Sequence, residues 1–226
     1  MRSALRFLPS LRYGAKSLLR NLTFAFLLAT PALAEPLTLV ALGDSLTQGY
    51  GLPPEDGFVP QLQAWLRAQG RDVTVVNAGV SGDTTAGGLA RLDWMLTPET
   101  DALIVTLGGN DLLRGIDPAS SRANLDAILK QTTARGLPVL LVAMQAPGNY
   151  GPDYKRDFDA MYPDLATKYG ALLAPGFFTG MGAEGDPAKA RALMQPDGLH
   201  PNREGVALIV QGLGPQVLDL LARVAP

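Results

Sequence analysis

Three features of the sequence predict an α/β fold built on a parallel sheet. Five short runs, at 37–42, 73–79, 102–109, 138–144 and 171–175, are nearly all apolar, which suits strands covered on both faces. Segments with apolar residues at helical spacing separate them, so strand and helix alternate along the chain. Turn residues, most often glycine, close the segments. Five strands in this pattern suit a doubly wound, flavodoxin-like three-layer α/β/α sandwich with strand order 2-1-3-4-5. No internal repeat, low-complexity tract or linker divides residues 35–226, which read as a single domain.

The first run, LTLVAL (37–42), is rich in branched apolar residues and stops at Gly43. VPQLQAWLRAQG (59–70) sets Val59, Leu62, Trp65 and Leu66 on one helical face and ends on Gly70. VTVVNAG (73–79) is the second strand. TTAGGLARLDWML (84–96) reads as one helix, weakened by Gly87 and Gly88. ALIVTLGG (102–109) is the third strand, and 118–136 a helix with Pro118 in its first turn and Gly136 as its stop. PVLLVAM (138–144) follows as the fourth strand. Residues 153–169 form a helix with Phe158, Met161, Leu165 and Tyr169 on one face and Pro163 bending it. ALLAP (171–175) is the fifth strand, and a short helix lies near 187–194. The final helical segment, 202–223, is expected to kink or break at Gly214-Pro215.

The start of the chain reads differently. Residues 1–34 carry five basic residues (Arg2, Arg6, Arg12, Lys16, Arg20) and no acidic ones, then the apolar run LTFAFLLATPALA ending in Ala32-Leu33-Ala34. A basic segment, a short apolar segment and an A-x-A ending describe a secretory signal peptide with cleavage after Ala34 and delivery to the periplasm or beyond. A membrane anchor is the alternative, but spanning a bilayer takes roughly 20 apolar residues. This run is shorter and broken by Thr30 and Pro31.

Without the leader the chain has 19 − 5 = 14 Lys and Arg against 21 Asp and Glu, a formal charge of −7. An acidic chain without a basic cluster is poorly matched to nucleic acid or to an anionic membrane surface. The absence of cysteine and the single histidine exclude a Cys/His zinc site, and no metal or other cofactor is expected. A monomer acting on a small molecule, without stable membrane insertion after leader removal, fits these numbers.

Ligands of an open parallel sheet bind outside the carboxyl ends of its strands. The residues there are Gly43-Asp44-Ser45, Asn77-Ala78-Gly79 and Gly108-Gly109-Asn110-Asp111, and PDGLHPN leads into the final helix near the same edge. After residue 34 the chain has four serines (Ser45, Ser81, Ser120, Ser121) and one histidine, His200. A serine attacks well only when a base takes its proton, so a histidine-dependent serine hydrolase here would have to use His200. Asp197 stands three residues earlier, with Gly198 easing the turn, and could hold the imidazole tautomer. Asn110, behind two glycines, Gly79 and the Ser45 N–H could form an oxyanion hole. Each residue also has a plainer reading: Ser45 as a helix cap, His200 as a local hydrogen-bonding group, Asn110 as a turn, Gly79 as a strand end. Ser81 is a rival nucleophile. The G-x-S-x-G elbow of another hydrolase fold is absent. With one histidine, the acid limb of kcat/KM is expected to report one ionisation.

Taken together these blocks resemble the GDSL or SGNH hydrolases. LGDSLTQGYG resembles the first block, where Ser45 matches the nucleophile. VVNAGVSGDTTAGGLARL resembles the second, where Gly79 matches the oxyanion glycine. VTLGGNDLLRG resembles the third, with Asn110 as the oxyanion asparagine, and DGLHPN the last, with Asp197 and His200 as acid and base. APGNYGPDY and MYPDLA are similar to the exported acyl-CoA thioesterase I, lysophospholipase and arylesterase group. The resemblance implies the SGNH fold and a metal-independent esterase or thioesterase working through an acyl-enzyme on aryl esters, acyl-CoA or lysophospholipid-like acyl esters. Tyr50, Asn149 and Tyr150 are expected to touch substrate, with 148–154 as a wall of the acyl pocket. A carbohydrate acetyl-esterase and a non-catalytic flavodoxin-like binding module remain as alternatives.

Overall fold

The computed structural model describes residues 36–224, so the leader reading of 1–34 lies outside the described residues. Strands β1 (Leu37–Gly43), β2 (Val73–Gly79), β3 (Ala102–Thr106), β4 (Val139–Val142) and β5 (Leu172–Ala174) form one sheet in the order β2-β1-β3-β4-β5. All four pairings are parallel. The expected α/β class and strand order hold. β3 and β4 are buried along their whole length, as their unbroken apolar sequences require, whereas the edge strand β2 alternates buried and exposed residues. β1 and β2 end level with each other, with Gly43 opposite Gly79 and also opposite Thr106 of β3, so the loops leaving three strands start side by side.

The helices are α1 (Ser45–Gln48), α2 (Phe58–Ala68), α3 (Thr85–Ala90), α4 (Leu92–Met95), α5 (Gly109–Leu113), α6 (Pro118–Ala134), α7 (Pro152–Tyr169), α8 (Pro187–Ala192) and α9 (Arg203–Leu221). α2 packs against α9 and β2, while α6 packs against α3 and α7. Each wholly buried Leu, Ile or Phe of this core contributes about 1.5–3 kcal/mol over its exposed state.

Three expectations need correction. The helix expected over 84–96 is two short ones hinged at Arg91; Gly88 in the first packs so tightly on Leu107 that a Cβ would collide with that side chain. The third strand stops at Thr106, because Gly108 takes φ +117° and turns the chain into α5. The final helix does not break at Gly214-Pro215. α9 runs through Pro215, holding Val206, Ile209, Val210, Leu213, Val217 and Leu220 in the core. Gly214 lies against the Trp65 indole, where a Cβ would stand 2.6 Å from the ring. Burying that apolar face offsets the single backbone bond that proline forfeits.

Candidate active site

Both readings of Ser45 turn on what caps α1. The cap is Asp44: its Oδ1 accepts the Leu46 N–H at 3.0 Å, which leaves the Ser45 hydroxyl free. The turn needs Gly43, since a Cβ there would collide with Thr47 and stand 2.9 Å from the Thr106 carbonyl oxygen. Ser45 Oγ lies 2.8 Å from His200 Nε2, and His200 Nδ1 lies 2.6 Å from Asp197 Oδ2. The other Asp197 oxygen accepts the N–H groups of Leu199 (2.9 Å) and His200 (3.0 Å). The hydrogen bond from the His200 ring, followed by those two N–H groups, holds the Asp197 carboxyl down to about 2. Ionised, Asp197 can only accept from Nδ1–H, an arrangement able to leave Nε2 as the acceptor facing the serine.

The loop carrying this pair is closed on itself and pinned to the nucleophile segment. Gln195 N–H donates to the His200 carbonyl (2.8 Å), and Gly198 turns the loop at φ +67°. Gln195 Nε2 donates to the carbonyls of Tyr50 (2.8 Å) and Pro201 (3.0 Å). The Tyr50 ring lies 4.7 Å from the His200 ring.

Asn110 arrives on α5 beside Ser45, and its Nδ2 donates to Asp44 Oδ2 at 3.3 Å. Asp44 is buried, and among the described residues no Lys or Arg pairs with it. Burial lifts its carboxyl to about 6, against the opposing pull of the Leu46 N–H, the Asn110 amide and the His200 charge. Next to Asn110, the buried Asp111 accepts from Thr85 N (2.8 Å), Thr85 Oγ1 (2.6 Å) and Ser121 Oγ (2.7 Å), tying α5 to α3 and α6.

The structure places the expected oxyanion glycine outside the cavity around Ser45. Gly79 N–H already donates to Asn77 Oδ1 at 3.0 Å, and the residue sits beneath α1, where a Cβ would collide with Gln48 N and crowd the Asp44 carbonyl. Gly79 does not line the cavity around Ser45, but Gly82 does. Among the described residues neither Gly82 N–H nor Ser45 N–H has a protein acceptor. Gly82 holds φ +82°, and Arg114 Nη2 grips its carbonyl at 2.7 Å. Ser81, the rival nucleophile, gives its N–H and its hydroxyl to Gln48 Oε1, away from the one histidine.

A cavity of about 740 Å³ opens over Ser45, Asn110 and His200. Its walls are Leu112 and Leu113 of α5, Met144 after β4, Pro175, Phe177 and Phe178 after β5, and Leu199. Tyr50 lines it as expected, but Asn149 and Tyr150 do not. Pro147 and the 3-10 turn Gly148–Tyr150 swing that segment behind α5, where the Tyr150 ring packs on Tyr154 at 4.9 Å and against Gly115. The expected wall at 148–154 is replaced by Ala143, Met144 and Gln145, the first residues beyond β4. Reading past the ends of β4 and β5, as past β1 to β3, would have found Met144 and Phe177-Phe178.

Among the described residues no cluster of three or more His, Asp or Glu could hold a metal ion, and no helix is long and apolar enough to cross a membrane.

Comparison with known proteins gives concordant matches. The description "GDSL-like Lipase/Acylhydrolase family" matches residues 41–208. Esterase TesA of Pseudomonas aeruginosa is 40% identical over 185 residues, covering 81% of this chain and 89% of that protein. The Escherichia coli protein named thioesterase 1/protease 1/lysophospholipase L1 is 36% identical, covering 89% and 93%. The crystal structure of AlinE4, an SGNH-hydrolase family esterase, superposes with a TM-score of 0.68 at 42% identity, covering 84% of this chain and 99% of that one.

Proposed function

The chain belongs to the GDSL-like Lipase/Acylhydrolase family and hydrolyses ester bonds, and we propose that it does so as a serine esterase and thioesterase through an acyl-enzyme on Ser45. The observation that carries this reading is the unbroken chain Asp197–His200–Ser45, at 2.6 and 2.8 Å, at the mouth of an apolar cavity. His200 Nε2 takes the Ser45 proton as Oγ attacks the acyl carbonyl carbon. The tetrahedral oxyanion is met by the N–H groups of Ser45 and Gly82 and by the second Nδ2 hydrogen of Asn110, none of which is committed elsewhere. His200 then passes the proton to the leaving oxygen or sulfur, leaving acyl-Ser45. Water, deprotonated by the same nitrogen, returns the free serine.

Leucine, methionine and phenylalanine walls suit an acyl chain of several carbons better than an acetyl group, which favours carboxylic esters and thioesters over acetylated polysaccharide. The basic, apolar and A-x-A segments of 1–34 support export with cleavage after Ala34.

A fluorophosphonate probe tests the central step. It should label Ser45 alone, as read by peptide mass, and labelling should vanish in Ser45→Ala and nearly vanish in His200→Ala. Labelling of Ser81, or full labelling without His200, would refute the assignment.

A further inference from the structure

A cap for α1 needs only one acceptor, and serine, threonine or asparagine supplies it without charge. At this position the chain instead buries a carboxylate that, among the described residues, no Lys or Arg pairs with, which is costly when it ionises. Its second oxygen is what sets it apart from a simple cap. Oδ1 serves Leu46 N–H, while Oδ2 faces Asn110 Nδ2. Gly109 leaves room for that contact, since a Cβ there would stand 3.2 Å from Asp44 Oδ2.

An asparagine amide can present either its NH₂ or its oxygen to a neighbour, and only the NH₂ end can hold an oxyanion. A carboxylate accepts and cannot donate, so it tolerates only the NH₂ end. We propose that Asp44 is a positioning residue for catalysis, its carboxylate fixing the Asn110 amide so that the second Nδ2 hydrogen is kept for the oxyanion. This rests on the esterase reading and on the role given there to Asn110. The ionisable groups whose charge reaches Asp44 are His200, from the loop before α9, and the Tyr162 hydroxyl of α7. Protonation of Asp44, lifted by burial to about 6, removes the acceptor-only character that does the sorting.

The test is a double-mutant cycle on a short activated ester, with kcat and KM measured separately. Asn110→Ala should lower kcat by about 10²–10³. Asp44→Asn puts a second NH₂ donor within reach of the Asn110 NH₂ and should lower kcat by about 10–10² with KM little changed. The double variant should be no slower than Asn110→Ala alone, within about threefold, because Asp44 has nothing left to position. Asp44→Asn should also remove one of two ionisations from the acid limb of the pH profile.

Should Asp44→Asn fail to fold, Gly109→Ala crowds Oδ2 while leaving both side chains in place. It should slow the wild type several-fold and leave the Asn110→Ala variant unchanged. Equal fold-losses in both backgrounds, for either substitution, would overturn the proposal, as would a wild-type kcat in Asp44→Asn. A near-normal Asn110→Ala would instead overturn the role of Asn110 itself, and this proposal with it.

Discussion

Gln195 is the substitution that most directly tests whether the acid–base loop must be pinned to the nucleophile. Ser45 and His200 are 155 residues apart, yet their atoms meet at 2.8 Å. The other side-chain hydrogen bond from this loop to the nucleophile segment is Gln195 Nε2 to the Tyr50 carbonyl, and the same nitrogen also holds the Pro201 carbonyl. Gln195→Ala deletes both, at a net cost of roughly 0.5–1.5 kcal/mol each. The loop keeps the Gln195 N–H to His200 bond, the bridge between Met194 and Pro201 and the Tyr50–His200 ring contact. The lower half of that range therefore applies, and kcat/KM should fall about tenfold, with Tm lower by only a few degrees. Gln195→Glu sharpens the test. An ionised carboxylate facing two carbonyl oxygens repels both, so at about pH 8 this variant should be slower than Gln195→Ala. Protonated, the new acid regains one O–H donor, so the ratio of Glu to Ala activity should climb as pH falls toward 5. Steady-state hydrolysis of a p-nitrophenyl ester, with each variant referred to wild type at each pH, reads this out. Wild-type kcat/KM in Gln195→Ala, or a Glu-to-Ala ratio that does not change with pH, would refute the reasoning.

Two further outcomes follow from particular contacts. Asp44 has a folded value of about 6 against an ordinary 3.8, so the native state holds this proton more tightly than the unfolded chain does. Its stabilising contribution is complete below about 4 and is lost as pH rises through 6, amounting to about 3 kcal/mol at 1.36 kcal/mol per pH unit. Asp44→Asn should therefore gain stability relative to wild type between about pH 4 and 7 in urea titrations; a difference independent of pH would contradict the burial argument. Gly79→Ala should be strongly destabilising, because its Cβ meets backbone beneath α1. Gly82→Ala, strained by about 1–2 kcal/mol at φ +82° but with a Cβ that would meet only Arg114 Nη2 at an ordinary 3.6 Å, should fold and lose kcat. The opposite ranking in thermal denaturation and turnover would restore Gly79 as the oxyanion donor.

The parts of the fold set by local pattern were legible in the sequence, and those set by distant contacts were not. A short, β-branched apolar run such as ALIV in β3, closed by glycines, reads as a doubly covered strand, and strands alternating with helices leave few topologies. The continuity of α9 was hidden because it depends on Trp65, far away in sequence, filling the space beside Gly214. At the site, one histidine and few serines single out Ser45, Asp197 and His200 by scarcity and spacing, and the structure brings these three side chains together. The choice between Gly79 and Gly82 was not readable, because two glycines three positions apart look alike. What separates them is which N–H is already spent, and Asn77 decides that. Asn149 and Tyr150 are misplaced for a related reason: they follow the fourth strand closely in sequence, but the turn after Pro147 carries them behind α5.

One expectation from composition changes its meaning in the structure. A chain with one histidine should show one ionisation on the acid limb, but the burial of Asp44, which lifts its carboxyl to about 6, predicts a second. The two aspartates beside the nucleophile are driven apart by their surroundings. Asp197 lies in water with three hydrogen-bond donors and is held down to about 2, so its charge is present throughout the working range. Asp44 lies in the core with two donors and is raised by burial, so its charge is present only above the middle of that range. Pairs of titratable groups pushed apart in this way mark different duties within one site. In the proposed mechanism the exposed carboxylate keeps the base in its reactive tautomer at any moderate pH. The buried one sorts the orientation of a neutral amide, a task that requires an acceptor with no hydrogen to offer. Acidification through about pH 6 is therefore expected to disable the oxyanion side of this site while Asp197 is still ionised, and a kcat profile for Asp44→Asn that keeps the wild-type fall on acidification would contradict that division of duties.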